Sequence, residues 1–218
     1  MTLPAHILER LPQHLRQNSL IRGADSLIQA GETRALSATL REGVLPRGGV
    51  VELMLHGGHA LGTSIALKAI ARSQEEGRKL SGKAELCAFV DPAGTLHAPK
   101  VRALGVELER LLVVRPSSSE LMRTSLRLSE AQIFSTIVID TLGVNSDSRG
   151  VDLAPWVRAV RRLTLAIEGT RATVILLTDN SQRRTLPLPV LARYELFRLS
   201  LRDLELRGTK ERSSSYVA

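Results

Sequence analysis

The sequence predicts an α/β protein with a mostly parallel, twisted sheet, and three observations lead to this prediction. Short runs such as residues 50–55 and 136–140 have the continuous hydrophobicity of strands that are buried on both faces. Segments with apolar side chains at helical spacing, such as residues 152–168, lie between these runs. A regular alternation of strands and helices implies right-handed crossovers and parallel neighbouring strands.

The predicted elements follow one another without an internal repeat. Strands are expected at residues 50–55, 85–91, 111–115, 136–140 and 173–178. Helices are expected at residues 63–74, 99–104, 119–132 and 152–168. Two antiparallel strands are expected near the C-terminal end, at residues 194–201 and 205–207. Irregular structure is expected at residues 74–83, 145–150 and 182–189, and from Gly208 onward.

We expect three parts in the chain. Residues 1–35 hold a short amphipathic helix followed by an extended arm, residues 36–207 form the core, and residues 208–218 form a flexible tail. The 218 residues are enough for one sizeable core.

Composition narrows the class of protein. The single cysteine, Cys87, lies in an apolar run, which predicts a buried thiol and fits a reducing, cytoplasmic setting. No apolar stretch approaches the length of a membrane span. The net charge of +8 favours nucleic acid or an acidic protein as a partner. An aromatic content of 3% argues against a surface that stacks the bases of single strands.

The junction between the first strand and its helix has the frame of a phosphate-binding loop. Gly57 and Gly62 are spaced as the two glycines of such a loop, whose backbone N–H groups would face phosphate oxygens. The lysine that should follow is replaced by Thr63, whereas Ser64 keeps the hydroxyl that could meet magnesium. The sequence therefore predicts a vestigial phosphate site.

Several blocks of the chain, in order, resemble the bacterial RecA recombinase family. They are residues 45–53, 87–91, 102–116 and 137–142. The resemblance extends over about residues 36–204 and implies a RecA-like ATPase core. It also implies that Asp140 ends the Walker B strand on the magnesium side, although an aspartate there could equally cap the next turn.

The departures from the family pattern are at the residues that bind and hydrolyse the nucleotide in the family. Beyond Thr63, the position of the family's catalytic glutamate holds Ala93, so no carboxylate is placed to orient the attacking water. The position of the adenine-stacking tyrosine holds Lys100. We therefore expect a degenerate ATPase with no catalytic residue and no bound cofactor.

The two DNA-contacting loops of the family correspond to residues 143–152 and 181–189, and both look short. The sequence around them is basic. One interpretation is a solvated helix face, and the other is weak, sequence-independent contact with DNA phosphates. The candidate DNA-binding residues are Arg158, Arg161, Arg162, Arg183 and Arg184.

A RecA-like core with these losses resembles the ImuA accessory proteins, which are related to RecA and to the SulA-type division inhibitors. The resemblance implies a cytoplasmic adaptor in damage-induced mutagenesis and translesion synthesis, with an ImuB-like polymerase homologue, and possibly RecA, as partner. Two alternatives stay open: a divergent RecA-type DNA-dependent ATPase, and a SulA-like inhibitor of cell division.

A partner surface follows from the same resemblance. RecA-like subunits join when an N-terminal helix and strand dock on the next core, and residues 4–22 resemble that arm. Glu107 and Glu109 match the receiving side near a sheet edge, and we expect both in an exposed turn. The surface would build a homo-oligomer or accept an arm presented by the polymerase partner.

Histidine offers no convincing metal site. His56, His59 and His97 lack the paired spacing of zinc ligands, so no metal is expected.

Overall fold

In the computed structural model, a single mixed sheet forms the centre of the molecule. The structure describes residues 39–56, 59–142, 154–179, 189–198 and 204–211. The predicted N-terminal helix and arm, and both loops that correspond to the DNA-contacting loops of the family, lie wholly or almost wholly outside these residues.

The chain alternates between strands and helices up to the last two strands. The strands are β1 (Val50–His56), β2 (Cys87–Val90), β3 (Leu111–Val114), β4 (Thr136–Asp140), β5 (Thr173–Asp179), β6 (Ala192–Arg198) and β7 (Leu204–Glu211). The helices are α1 (His59–Ser81), α2 (Ala98–Ala103), α3 (Leu121–Glu130) and α4 (Ala154–Ala166). A short 3₁₀ turn, Leu108–Arg110, precedes β3.

Within the described residues the sheet has the strand order β3-β2-β4-β5-β1-β6-β7. Strands β1 to β6 are parallel to their neighbours, and β7 is antiparallel to β6. The α/β prediction is therefore confirmed. The antiparallel pair expected near the C-terminal end is that of β6 with β7. β6 also pairs with β1, and this pairing is parallel, which the sequence did not predict.

Apolar side chains pack on both faces of the sheet. Val51, Leu53 and Leu55 of β1 belong to the cluster formed with α1 and α2. Val50 belongs to the cluster on the opposite face, which includes Trp156 and Leu163 of α4. Because successive residues of a strand point to opposite faces, a strand covered on both sides must be apolar throughout, as the sequence of β1 largely is.

Helix α1 is longer than predicted. Residues 74–83 were expected to be irregular, but α1 continues to Ser81. Ion pairs one turn apart, Arg72–Glu76 and Glu75–Lys79, support this polar final part. The helix ends at Gly82, whose φ of +76° is the left-handed conformation that terminates many helices.

The C-terminal strand is also longer than predicted. The tail was expected to begin at Gly208, but β7 continues to Glu211 and pairs there with Ala192. The pairing partner, β6, is distant in sequence, so local composition gave no sign of this extension.

Candidate functional site

The glycine at the start of α1 lets this helix pack closely against β1. A side-chain Cβ on Gly62 would lie 2.7 Å from a methyl carbon of Leu55, so a larger residue here requires the Leu55 side chain to move. Thr63 and Ser64 directly follow this glycine in α1 and are half-buried. Gly57 lies outside the described residues. The residue in the position that the resemblance gives to the lysine is thus a short, uncharged threonine within a helix.

Asp140 ends β4 and is almost completely buried, with 4% of its surface exposed. Its carboxylate accepts a hydrogen bond of 2.8 Å from the backbone N–H of Leu142. This is the turn-capping geometry that the sequence left open as an alternative to a magnesium ligand. The carboxylate therefore stabilises the path of the chain where it leaves the sheet.

A second buried carboxylate, Asp91, organises the loop after β2. It accepts hydrogen bonds from the backbone N–H groups of Thr95 and Leu96, both at 3.0 Å. The Nε of Arg115 lies 3.6 Å from Oδ2 of this carboxylate. Ala93 is exposed in the turn that this carboxylate holds, and Lys100 is exposed on α2. The carboxylate nearest to Ala93 in sequence is therefore engaged with its own loop.

A buried charge pair crosses the strands beside the phosphate-loop end, and sequence reasoning missed it. Glu52 of β1 is 1% exposed and accepts hydrogen bonds from Thr178 of β5, at 2.8 Å, and from Arg193 of β6, at 2.6 Å. The one signal in the sequence was a glutamate inside an otherwise apolar strand. Because an ionised carboxylate cannot be buried without partners, this residue should have prompted a search for a distant cation.

His56, the last residue of β1, packs against β6. Its ring stacks on Phe197 with a centroid distance of 3.9 Å, and its Nε2 lies 3.3 Å from a carboxylate oxygen of Glu195. His97 precedes α2, and the side chain of His59 is outside what the structure describes. Across the described ranges, no three histidine, cysteine, aspartate or glutamate side chains converge as metal ligands would.

The three candidate DNA-binding arginines of α4 are exposed. Arg158, Arg161 and Arg162 point away from the buried side of the helix, which carries Val160 and Leu163. Arg162 forms an ion pair of 3.6 Å with Glu130 at the end of α3. Arg183 and Arg184 lie outside the described residues.

The two candidate partner-binding glutamates differ in environment. Glu109 is exposed in the 3₁₀ turn, as expected. Glu107 is half-buried and forms an ion pair with Arg78 of α1, so the expectation of an exposed turn is wrong for this residue. The burial arises because Gln74 of α1 binds the Glu107 backbone, at 2.8 Å from its N–H and 3.1 Å from its carbonyl oxygen.

The strand that follows these glutamates forms the edge of the sheet. β3 pairs with β2 on one side only, and in the part of the chain that is described no strand covers its other side. Leu112 and Val113 of this strand are 43% and 38% exposed. An edge strand with exposed apolar side chains is a template for an added strand.

These features define an α/β core in which a buried strand, β1, leads through a closely packed glycine region into a helix, within a mostly parallel sheet. The chain belongs to the RecA N-terminal domain family, which it matches over residues 22–182. No helix among the described residues has the length and apolarity that crossing a bilayer requires.

Relatives that match the chain carry the name Protein RecA. The chain is 31% identical to that of Cutibacterium acnes over 158 residues, which cover 66% of this chain and 43% of the relative. It is 30% identical to that of Oceanobacillus iheyensis over 199 residues, 78% of this chain and 54% of the relative. It is 29% identical to that of Arthrospira platensis over 194 residues, which cover 81% of this chain and 51% of the relative. The chain thus spans about half the length of these relatives.

Proposed function

We propose that this protein is a catalytically inactive RecA-like adaptor in damage-induced mutagenesis, which binds an ImuB-type polymerase homologue and contacts DNA weakly. The observation on which this proposal depends is the combination of Thr63 and Ala93 at the two positions where the RecA resemblance requires a lysine and a glutamate. Catalysis of phosphoryl transfer depends on placed charge, and both charges are missing.

The side chains that the structure describes around this junction supply no replacement for these two charges. Two of the carboxylates at this end of the sheet, Asp91 and Asp140, accept hydrogen bonds from their own loops. A third, Asp179, ends β5 beside Leu55 of β1. Neither Thr63 nor Ser64 carries a charge that could meet the outer phosphates. This set of side chains does not fit a magnesium–nucleotide complex, which supports an adaptor over an enzyme.

The partner side of the proposal rests on the edge of the sheet. A strand added beside β3 would gain main-chain hydrogen bonds and cover Leu112 or Val113. Glu109 is exposed next to this edge and could set the register through a cationic residue of the partner. Glu107 contributes less directly, since it is already paired with Arg78.

One alternative function retains support from family membership. Relatives named Protein RecA match most of this chain, so a divergent DNA-dependent ATPase is the competing proposal. It requires a cation and a carboxylate supplied from elsewhere to replace those missing at Thr63 and Ala93.

The experiment for the adaptor is direct capture of a purified ImuB-type polymerase homologue by the full chain. Glu109→Lys and Leu112→Lys should each abolish capture, because both change the proposed β3 edge. Ile133→Lys is the matched control, since Ile133 is also an exposed apolar residue, at 58%, but lies away from this edge. Capture that survives both edge variants, or that is lost equally with Ile133→Lys, would rule out the edge as the partner site.

A further inference from the structure

We propose that the outward surface of α3 and α4 docks the phosphate backbone of duplex DNA. This surface, the α3–α4 arginine face, consists of Arg123, Arg127, Arg158, Arg161 and Arg162. The proposal rests on the proposed function in taking the α4 arginines as DNA contacts. It adds two arginines of α3 that the resemblance did not suggest, and an acidic residue, Glu130, that limits binding.

The two helices form one continuous surface. α3 connects β3 to β4 and α4 connects β4 to β5, and all these strands are parallel, so both helices run opposite to the strands and parallel to each other. The two helices contact each other, and an ion pair joins Glu130 of α3 to Arg162 of α4. Arg127 and Arg158 lie one turn before these residues on the same helix faces, because residues three or four apart share a face.

Positive charge predominates on this face, with the exposed residues Glu120 and Glu168 at the ends of the two helices. α4 contains no acidic residue, and Glu130 is the one acidic residue of α3. Among the described residues, Arg123, Arg127, Arg158 and Arg161 have no hydrogen-bond or ion-pair partner for their side chains. Like charges on neighbouring helices repel, so an anion that bridges them is favoured.

Glu130 acts as an internal competitor for one of these arginines. The side chains of Arg162 and Glu130 are 64% and 54% exposed, and their separation is 3.6 Å. An ion pair this exposed contributes little to stability and can exchange its partner at low cost. A phosphate can therefore displace Glu130 from Arg162, and removal of the glutamate should improve binding.

The chemistry of the face favours duplex DNA over other anionic partners. The aromatic residue of α4, Trp156, is 2% exposed, so its ring is not available for base stacking as in single-strand binding surfaces. An acidic peptide would need apolar anchors as well, and on α4 Leu165 is the one large apolar side chain with high exposure, at 67%, among those described. Arginine forks instead match phosphate oxygens, whose charge density is highest on a duplex.

The test is fluorescence anisotropy of the full chain with a labelled duplex, and with a single strand of equal length, over a range of salt concentrations. Arg123→Gln with Arg127→Gln should weaken duplex binding at least about tenfold near 0.1 M salt and lower the salt slope by about 2. Glu130→Gln should strengthen binding several-fold and steepen the slope by about 1, because Arg162 becomes free.

The matched control is Lys100→Gln with Arg102→Gln. These residues lie on α2, whose Val101 packs on the opposite face of the sheet, and their replacement removes the same formal charge. Binding should then change less than about threefold, through net charge alone. Thermal midpoints of all variants should match that of the parent chain, since every substituted side chain is exposed.

The outcomes separate this inference from the proposed function. If Arg158→Gln with Arg162→Gln weakens binding but the α3 pair does not, the α3–α4 arginine face is wrong and the DNA contact of the adaptor stands. If the parent chain binds no DNA, the α3–α4 arginine face is wrong, and so is the DNA contact in the proposed function. Tighter binding to the single strand, or displacement of DNA by polyglutamate at equal charge concentration, would overturn the assignment to duplex DNA.

Discussion

The side chain of Gln74 binds both polar backbone groups of Glu107. Its Nε2 donates to the carbonyl oxygen at 3.1 Å, and its Oε1 accepts from the N–H at 2.8 Å. Gln74 is 1% exposed. This two-point contact joins the middle of α1 to the segment that leads into the edge strand β3, and it determines where Glu107 faces Arg78. The proposed partner edge is therefore positioned by a residue that lies outside it.

We expect Gln74→Met to destabilise the protein by about 1–3 kcal/mol, because the variant keeps the volume but leaves the Glu107 N–H without its partner. The Glu107 carbonyl oxygen keeps its hydrogen bond from the Arg110 N–H, at 3.2 Å. Urea unfolding monitored by circular dichroism measures this difference. Arg78→Gln is the control, since it removes only a half-exposed ion pair and should cost less than about 1 kcal/mol. Equal losses of unfolding free energy in the two variants would show that the Gln74 contact contributes no more than the exposed ion pair.

The buried pair of Glu52 and Arg193 should show strong coupling. Arg193 is 11% exposed, so Glu52→Gln removes a carboxylate from a largely buried guanidinium and should cost about 3 kcal/mol. Glu52→Gln combined with Arg193→Met should recover much of this loss, because no buried charge then remains unpaired. A double-mutant cycle from urea unfolding measures the coupling energy, and simple additivity of the two single losses would contradict a buried ion pair.

The nucleotide prediction concerns the first missing charge. The parent chain should bind ATP negligibly in calorimetry and release no phosphate above background, with or without DNA. Thr63→Lys should improve affinity roughly tenfold to a hundredfold, since a charge-assisted contact contributes about 1.5–3 kcal/mol. It should still not hydrolyse ATP, because Ala93 cannot orient water.

Thr63→Met controls for side-chain length in that experiment. An affinity gain in this variant as large as that of Thr63→Lys would show that length, not charge, had been missing. Micromolar ATP binding or DNA-stimulated phosphate release by the parent chain would instead favour the divergent ATPase.

The Cys87 thiol should be unreactive in the folded protein. Cys87 is completely buried, and this burial raises the pKa of its thiol, while a contact of 3.6 Å with the Ser135 hydroxyl only partly offsets the shift. The neutral thiol thus stabilises the fold at pH values below the ordinary thiol pKa. That stabilisation is lost as the pH rises above it, because the unfolded chain can then ionise.

A thiol reagent measures this protection. The parent chain should react at the rate of global unfolding at pH 8, and Cys87→Ala should not react at all. Fast reaction without denaturant would show that the strand β2 opens locally.

The sequence by itself determined the fold class and most of the strands. The strands that begin at Val50 and at Thr136 were predicted because a strand buried on both faces must be continuously apolar. This property can be seen in the sequence of the strand itself. The sequence also shows that position 63 is not a lysine and position 93 is not a glutamate, which can be read without a structure. The exposure of Arg158, Arg161 and Arg162 followed from helical spacing alone.

The tertiary structure decided what depends on distant partners. Glu52 meets Arg193 across 141 residues of sequence, and Gln74 meets Glu107 across 33, so neither pair leaves a local pattern. The parallel pairing of β6 with β1 was likewise not predicted, because a strand's direction relative to the sheet depends on which neighbour pairs with it. The shared surface of α3 and α4 also needed the packing of one helix on the other. Local periodicity specifies elements and their buried faces, whereas charge pairing, strand direction and shared surfaces arise only when those elements assemble.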